Sequence, residues 1–209
     1  MIVLMSAFLL LSAFSCGGGN KANSTSEQDE KTVVNVPQFD ADSAYLYVKN
    51  QVDFGPRVPN TKEHVACGNY LAGKLEAFGA KVTNQYADLI AYDGTLLKAR
   101  NIIGSYKPES KKRIALFAHW DTRPWADNDA DEKNHHTPIL GANDGASGVG
   151  ALLEIARLVN QQQPELGIDI IFLDAEDYGT PQFYEGKHKE EAWCLGSQYW
   201  SRNPHVQGY

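Results

Sequence analysis

The sequence predicts an α/β fold, a mixed and mostly parallel central sheet flanked by helices, on three observations. After Asp169, residues 170–173, Ile-Ile-Phe-Leu, form an apolar run of the kind found in a strand buried on both faces of a sheet. Helical spacing of apolar residues recurs before and between the strand candidates. Acidic residues collect just after strand ends, where open α/β sheets bind ligands.

In chain order, Ala44, Val48 and Val52 predict a first helix that Gly55-Pro56 stops. A second helix is expected from Thr61 to Phe78, with Leu71, Leu75 and Phe78 on one face and Gly79 as its C-terminal cap. Strands are predicted over Lys81–Ala91, Leu96–Tyr106 and Arg113–His119, with turns at Asp93-Gly94 and Lys107-Pro108. The first two should pair antiparallel at the edge of the sheet, and Ile114–Phe117 reads as the more buried strand type. About 20 residues without periodicity come next. There Asp127, Asp129 and Asp131 alternate as in a calcium loop, but Glu132 stands where glycine is needed and Pro138 where glutamate is needed, so the stretch reads as a solvated acidic loop. Gly141–Gly148 then feeds a helix striped by Val149, Leu152, Leu153, Ala156 and Val159. After the buried strand come a Gly- and Lys-rich loop, 179–189, and a helix beginning near Glu191.

The net charge of −7 argues against a nucleic-acid partner. Residues 1–15 are apolar or small and read as an export signal peptide; Cys16 placed directly after it resembles the acylated first residue of a bacterial lipoprotein. Residues 16–36 read as a flexible tether, and 37–209 as the catalytic domain. The expected location is therefore the periplasm or outer membrane of a bacterium, lipid-anchored to the bilayer through Cys16. In that oxidising compartment Cys67 and Cys194 either pair or remain free buried thiols.

Three successive strand-to-helix junctions deliver His119 and Asp121, then Asp144, then Glu176 and Asp177 to what should be one sheet edge. Singly these residues mean little, since Asp144 also suits a helix N-cap and Glu176-Asp177 a solvated strand end. Together, with no Lys or Arg among them to neutralise the charge, they point to a divalent cation, and zinc suits mixed oxygen and nitrogen ligands. Glu176 and Asp177, adjacent on an extended segment, should point apart, one to substrate and one to metal.

His119-Trp120-Asp121-Thr122-Arg123-Pro124, Gly141-Ala142-Asn143-Asp144-Gly145-Ala146-Ser147-Gly148 and Leu173-Asp174-Ala175-Glu176-Asp177 resemble, in order, the motifs of the M28 zinc aminopeptidase family, which also contains glutaminyl-peptide cyclotransferases. The first motif is closer to the bacterial cyclases of the animal type. The resemblance implies a zinc aminopeptidase-like (phosphorylase/hydrolase-like) fold, one zinc ion with Asp144 and Asp177 as ligands, Glu176 as general acid/base, and His119 and Asp121 as a supporting shell. It implies peptides with N-terminal Gln as substrates, with Trp193, and less surely Trp120 and Trp125, as an apolar wall. The family's third zinc ligand is a histidine expected beyond residue 209. The chain therefore reads as incomplete at its C-terminus, with two of three protein ligands, an exposed sheet edge and poor activity or none; His205 does not match the ligand motif. A two-zinc aminopeptidase and a metal-free lipoprotein binding module are the alternatives.

Overall fold

The computed structural model describes residues 35–207, so the expected signal peptide, Cys16 and nearly all of the tether lie outside the described residues. Helix α1 (Ala41–Val52) starts where the Asp40 side chain accepts from the backbone N–H groups of Asp42 and Ser43, donors that a first helical turn leaves free. Thr61 caps α2 (Lys62–Ala77) in the same way through the N–H of His64, and Gly79, at φ 79°, ends it as expected. No described helix is long and apolar enough to cross a membrane.

Strands β1 (Lys81–Ile90) and β2 (Leu96–Tyr106) form the predicted antiparallel hairpin, with Gly94 at φ 87° in its turn. β3 (Arg113–His119) and β4 (Gly167–Leu173) complete a sheet of order β1-β2-β4-β3. The sheet is mixed, as predicted, but the parallel share is smaller than expected: among the described strands only β3 and β4 run parallel. The hairpin is the reason, because a tight turn reverses the chain and inserts β2 antiparallel to both its neighbours. β3 also departs from expectation. It lies at the edge of the described sheet, so Ile114 and Phe117 are each 45% exposed instead of buried.

Helix α3 (Ala146–Gln161) lays its predicted stripe on the sheet: Val149, Leu153 and Ala156 meet Ile102, Ile170 and Phe172, joined by Leu71 and Leu75 of α2. Each such side chain contributes about 1.5–3 kcal/mol by leaving water. On the opposite face Ile103, Ile171 and Leu173 pack with Trp200 of α4 (Leu195–Arg202). With layers on both faces and a strand on either side, β4 is buried at every position, as its composition predicted. The last helix starts later than expected. Residues 190–192 make a single 3-10 turn, and Cys194, at φ 54°, breaks the chain direction before Leu195.

The parallel pairing places the site. His119 stands in register with Leu173, and the N–H of Trp120 donates to the Leu173 carbonyl at 3.0 Å. The carboxyl ends of β3 and β4 thus open onto the same edge.

Candidate active site

The buried carboxylate of Asp121 organises that edge. Oδ1 accepts the backbone N–H of Glu176 and Oδ2 that of Asp177, both at 3.1 Å, so one side chain fixes two successive residues after β4. From the other side the N–H groups of Cys194, Leu195 and Gly196 donate to the carbonyls of Glu176, Ala175 and Asp174, each at 3.0 Å. Behind them Asp174 accepts from His64 Nε2 at 2.9 Å and from the N–H of Arg100 at 2.6 Å. The two side chains after β4 diverge as expected: Glu176 lies beside His119, and Asp177 beside Arg123.

Asp144 reaches the same edge from the start of α3. His119 Nε2 lies 2.7 Å from Asp144 Oδ1, while Nδ1 faces Asp121 at 3.5 Å and Glu176 at 3.6 Å. Two glycines make this approach feasible. A Cβ on Gly145 would strike the carbonyl and ring of His119, and Gly141, at φ 57°, would strike the Asp144 carbonyl and the Thr122 methyl. Arg57 pins the loop by donating to the carbonyls of Leu140 and Gly141.

The electrostatics mark a place for positive charge. Asp177 is pushed up to about 7, first by burial and then by Asp121, with Arg123 opposing and Glu176 and Asp144 adding to the rise. For His119 burial works to lower the pKa, but Asp121, Glu176 and Asp144 outweigh it and push it up to about 9. Its Nδ1 is buried without a hydrogen-bond partner. Carboxylates crowded around a buried, unsatisfied imidazole nitrogen suit a divalent cation; Asp144 and Asp177 line the same cleft, while each Asp121 oxygen accepts a backbone N–H. Among the described residues no group of three His, Cys, Asp or Glu side chains is arranged to hold a metal.

Arg123 corrects the expectation that no Lys or Arg stands among these acids. It is buried, paired in a bidentate arrangement with Asp127, and its Nη1 lies 3.6 Å from Asp177 Oδ1. Asp127 is likewise not part of a solvated loop: it is buried and also accepts the N–H of Gln182. Its neighbours Asp129 and Asp131 are exposed, as expected. The acidic alternation concealed Asp127, which pairs with Arg123 four residues before it and with the N–H of Gln182 in a distant loop.

Asp144, Asp177, Arg123, Trp125, Trp193 and Ile139 line one cleft of about 390 Å³. Trp193 packs against Gly179, where a Cβ would collide with its ring, and lies 4.8 Å from the Arg123 guanidinium. Trp125 joins it in the wall. Trp120 does not: it is fully buried, stacked on His64 at 4.2 Å, because the residue after β3 turns back into the core. Cys67 and Cys194 are both free. Cys67 belongs to the core face of α2, whereas Cys194 points its thiol at Glu176 Oε1, 3.3 Å away. Burial, then Glu176, push that thiol up to about 11, so it is a hydrogen-bond donor. His205 lies elsewhere, against Trp200 and Asp169.

The chain is similar to a Zn-dependent exopeptidase from Parabacteroides distasonis, 63% identical with a TM-score of 0.82 over 84% of this chain and 60% of that one. It is also similar to the glutaminyl cyclase of Tannerella forsythia, 60% identical with a TM-score of 0.80 over 83% of this chain and 59% of that one. Protein YfbL of Escherichia coli K12 is 35% identical over 115 residues, 55% of this chain and 32% of that protein. The chain thus spans about 60% of the length of these solved relatives and about a third of the curated one. The model of peptidase family M28 matches residues 101–208, from β2 through Asp121, Asp144, Glu176 and Asp177 to the end of α4. On this match over half its length, the chain belongs to peptidase family M28.

Proposed function

We propose that this protein is a glutaminyl-peptide cyclotransferase, closing N-terminal glutamine to pyroglutamate with release of ammonia. The observation that carries the reading is the commitment of Asp121. With both its oxygens on backbone N–H groups and His119 turned to Asp144, this pair supports the site and leaves Asp144 and Asp177 for a single zinc ion. A two-zinc peptidase would need a further metal-binding carboxylate a few tens of residues after Asp177, and residues 192–209 hold no Asp or Glu. The glutaminyl cyclase likeness favours the same reading.

Bound zinc would supply Lewis acidity to the carbonyl of the glutamine side chain. The residues of the chain do the rest. Trp193 and Trp125 present apolar faces that receive the neutral side chain and exclude water. Glu176, tethered through its backbone by Asp121 and Cys194, takes a proton from the α-amino nitrogen as that nitrogen bonds to the carboxamide carbon. The same carboxyl returns the proton to the departing nitrogen as the C–N bond breaks, so the products are a lactam and ammonia.

The test is ammonia release from a Gln-peptide together with zinc content. In the full-length protein, with its further histidine ligand, the expected outcome is one zinc per chain, and a Glu176→Ala variant that keeps zinc and loses activity at least 100-fold. Two zinc ions, or liberation of the first amino acid, would establish the peptidase; loss of zinc in that variant would exchange the roles of Glu176 and Asp177. Export and acylation at Cys16, read from residues 1–16, belong to the same proposal. Metabolic labelling with a fatty acid that is abolished by Cys16→Ala is the expected result.

A further inference from the structure

The proposed chemistry makes no use of Asp127, a carboxylate with no exposed surface in a loop whose next residues, 128–134, are exposed. Its two oxygens take Arg123 Nε at 2.7 Å and Nη2 at 2.6 Å, a planar, charge-assisted pair. The N–H of Gln182, 2.7 Å away, holds the carboxylate against rotation. Arg123 is further fixed between the rings of Trp193 and Trp125, at 4.8 and 5.8 Å. What remains of the guanidinium, Nη1, donates to the Asp177 carbonyl at 3.4 Å and holds only a long ion pair, 3.6 Å, with its Oδ1.

We propose that Asp127 is a positioning residue that engages Arg123 so that the guanidinium does not compete with a bound cation for Asp177. The inference rests on the zinc reading above. A free guanidinium this close to Asp177 would close on it, and a cation would then have to displace a salt bridge to bind. Paired with Asp127, the arginine is electrically offset and serves instead to hold the Trp193 ring and the loop carbonyl of Thr180, to which Nη2 donates at 3.4 Å. The pair thereby couples the apolar wall to the ligand carboxylate while keeping the guanidinium's hold on the ligand's charge to one long contact.

The experiment is zinc affinity, measured by competition with a chromophoric chelator, for the unaltered chain, Asp127→Asn, and the double variant Asp127→Asn with Arg123→Gln. Neutralising Asp127 alone should weaken zinc about tenfold, since an opposing charge at this separation shifts such equilibria by one to three log units. Removing the arginine as well should restore the affinity to that of the unaltered chain or better. If Asp127→Asn does not fold, the double variant, which buries no charge, still decides: zinc bound more weakly than in the unaltered chain overturns the proposal. Equal weakening in both variants would show a merely structural role, and no change in Asp127→Asn would show no role. Absence of zinc binding by the unaltered chain would instead remove the zinc reading, and this proposal with it.

Discussion

The two carboxylates assigned to the cation are held in opposite ways. Asp177 is buried, its N–H bound by Asp121 and its side chain 3.6 Å from Arg123. Asp144 stands on a loop with 69% of its side chain exposed and touches His119. The first is placed by folding and carries the electrostatic cost of its surroundings in advance; the second gives way cheaply and can adjust when an ion arrives. A site built from one rigid and one yielding half divides precision from access.

The largest effect that tests this contrast is on zinc affinity. Both Asp177→Asn and Asp144→Asn should lower it 100-fold or more, by chelator competition. They should separate in the metal-free protein, where Asp177→Asn raises the denaturation midpoint by removing a buried charge among like charges, and Asp144→Asn, which takes the charged partner from His119, lowers it slightly.

Asp121→Ala should break the rigid half. It leaves the N–H groups of Glu176 and Asp177 without their acceptor, so a loss of about 2–3 kcal/mol in urea unfolding is expected along with most activity. A variant of unchanged stability would show that Asp121 does not organise the edge.

The dependence on pH should be of intermediate size. Asp177, raised from 3.8 to about 7, holds a proton in the folded chain that it loses in the unfolded one, so metal-free stability falls as pH rises between these values. His119, raised from 6.5 to about 9, stabilises below 6.5 and loses that contribution as pH passes about 9. Both slopes have the same sign, and the midpoint should decline from pH 5 to pH 9. Zinc binding, which needs Asp177 ionised, should instead weaken as pH drops below about 7, by up to tenfold per unit.

The smallest effects lie at the wall and the loop. Trp193→Ala should raise KM about tenfold with little change in kcat, the mark of binding lost equally in ground and transition states. Cys194→Ala should lower kcat by about threefold and Cys194→Ser recover it, since the hydroxyl also donates to Glu176.

Much of the fold was legible in the sequence for local reasons. Thr61 and Gly79 bracket α2 because a cap and a left-handed residue are requirements of the nearby backbone. The apolar run Ile170–Leu173 of β4 announces burial on both faces. An exposed sheet edge was expected, but that β3 would form it was not legible, because Ile114–Phe117 has the same composition whether one strand or two lie beside it. Trp120 and Trp125 are alike as letters, yet one stacks on His64 in the core and the other lines the cleft.

The order of the three acidic junctions was determined by the sequence alone, since each comes after a strand or before a helix whose periodicity is local. Which groups then answer them was decided only in three dimensions. Arg123 meets Asp177 across 54 residues, and Asp121 meets the Glu176 backbone across 55. Contacts at that separation depend on the register of β3 against β4 and on the path of two irregular loops. A side chain carries no trace of these in its neighbours along the chain.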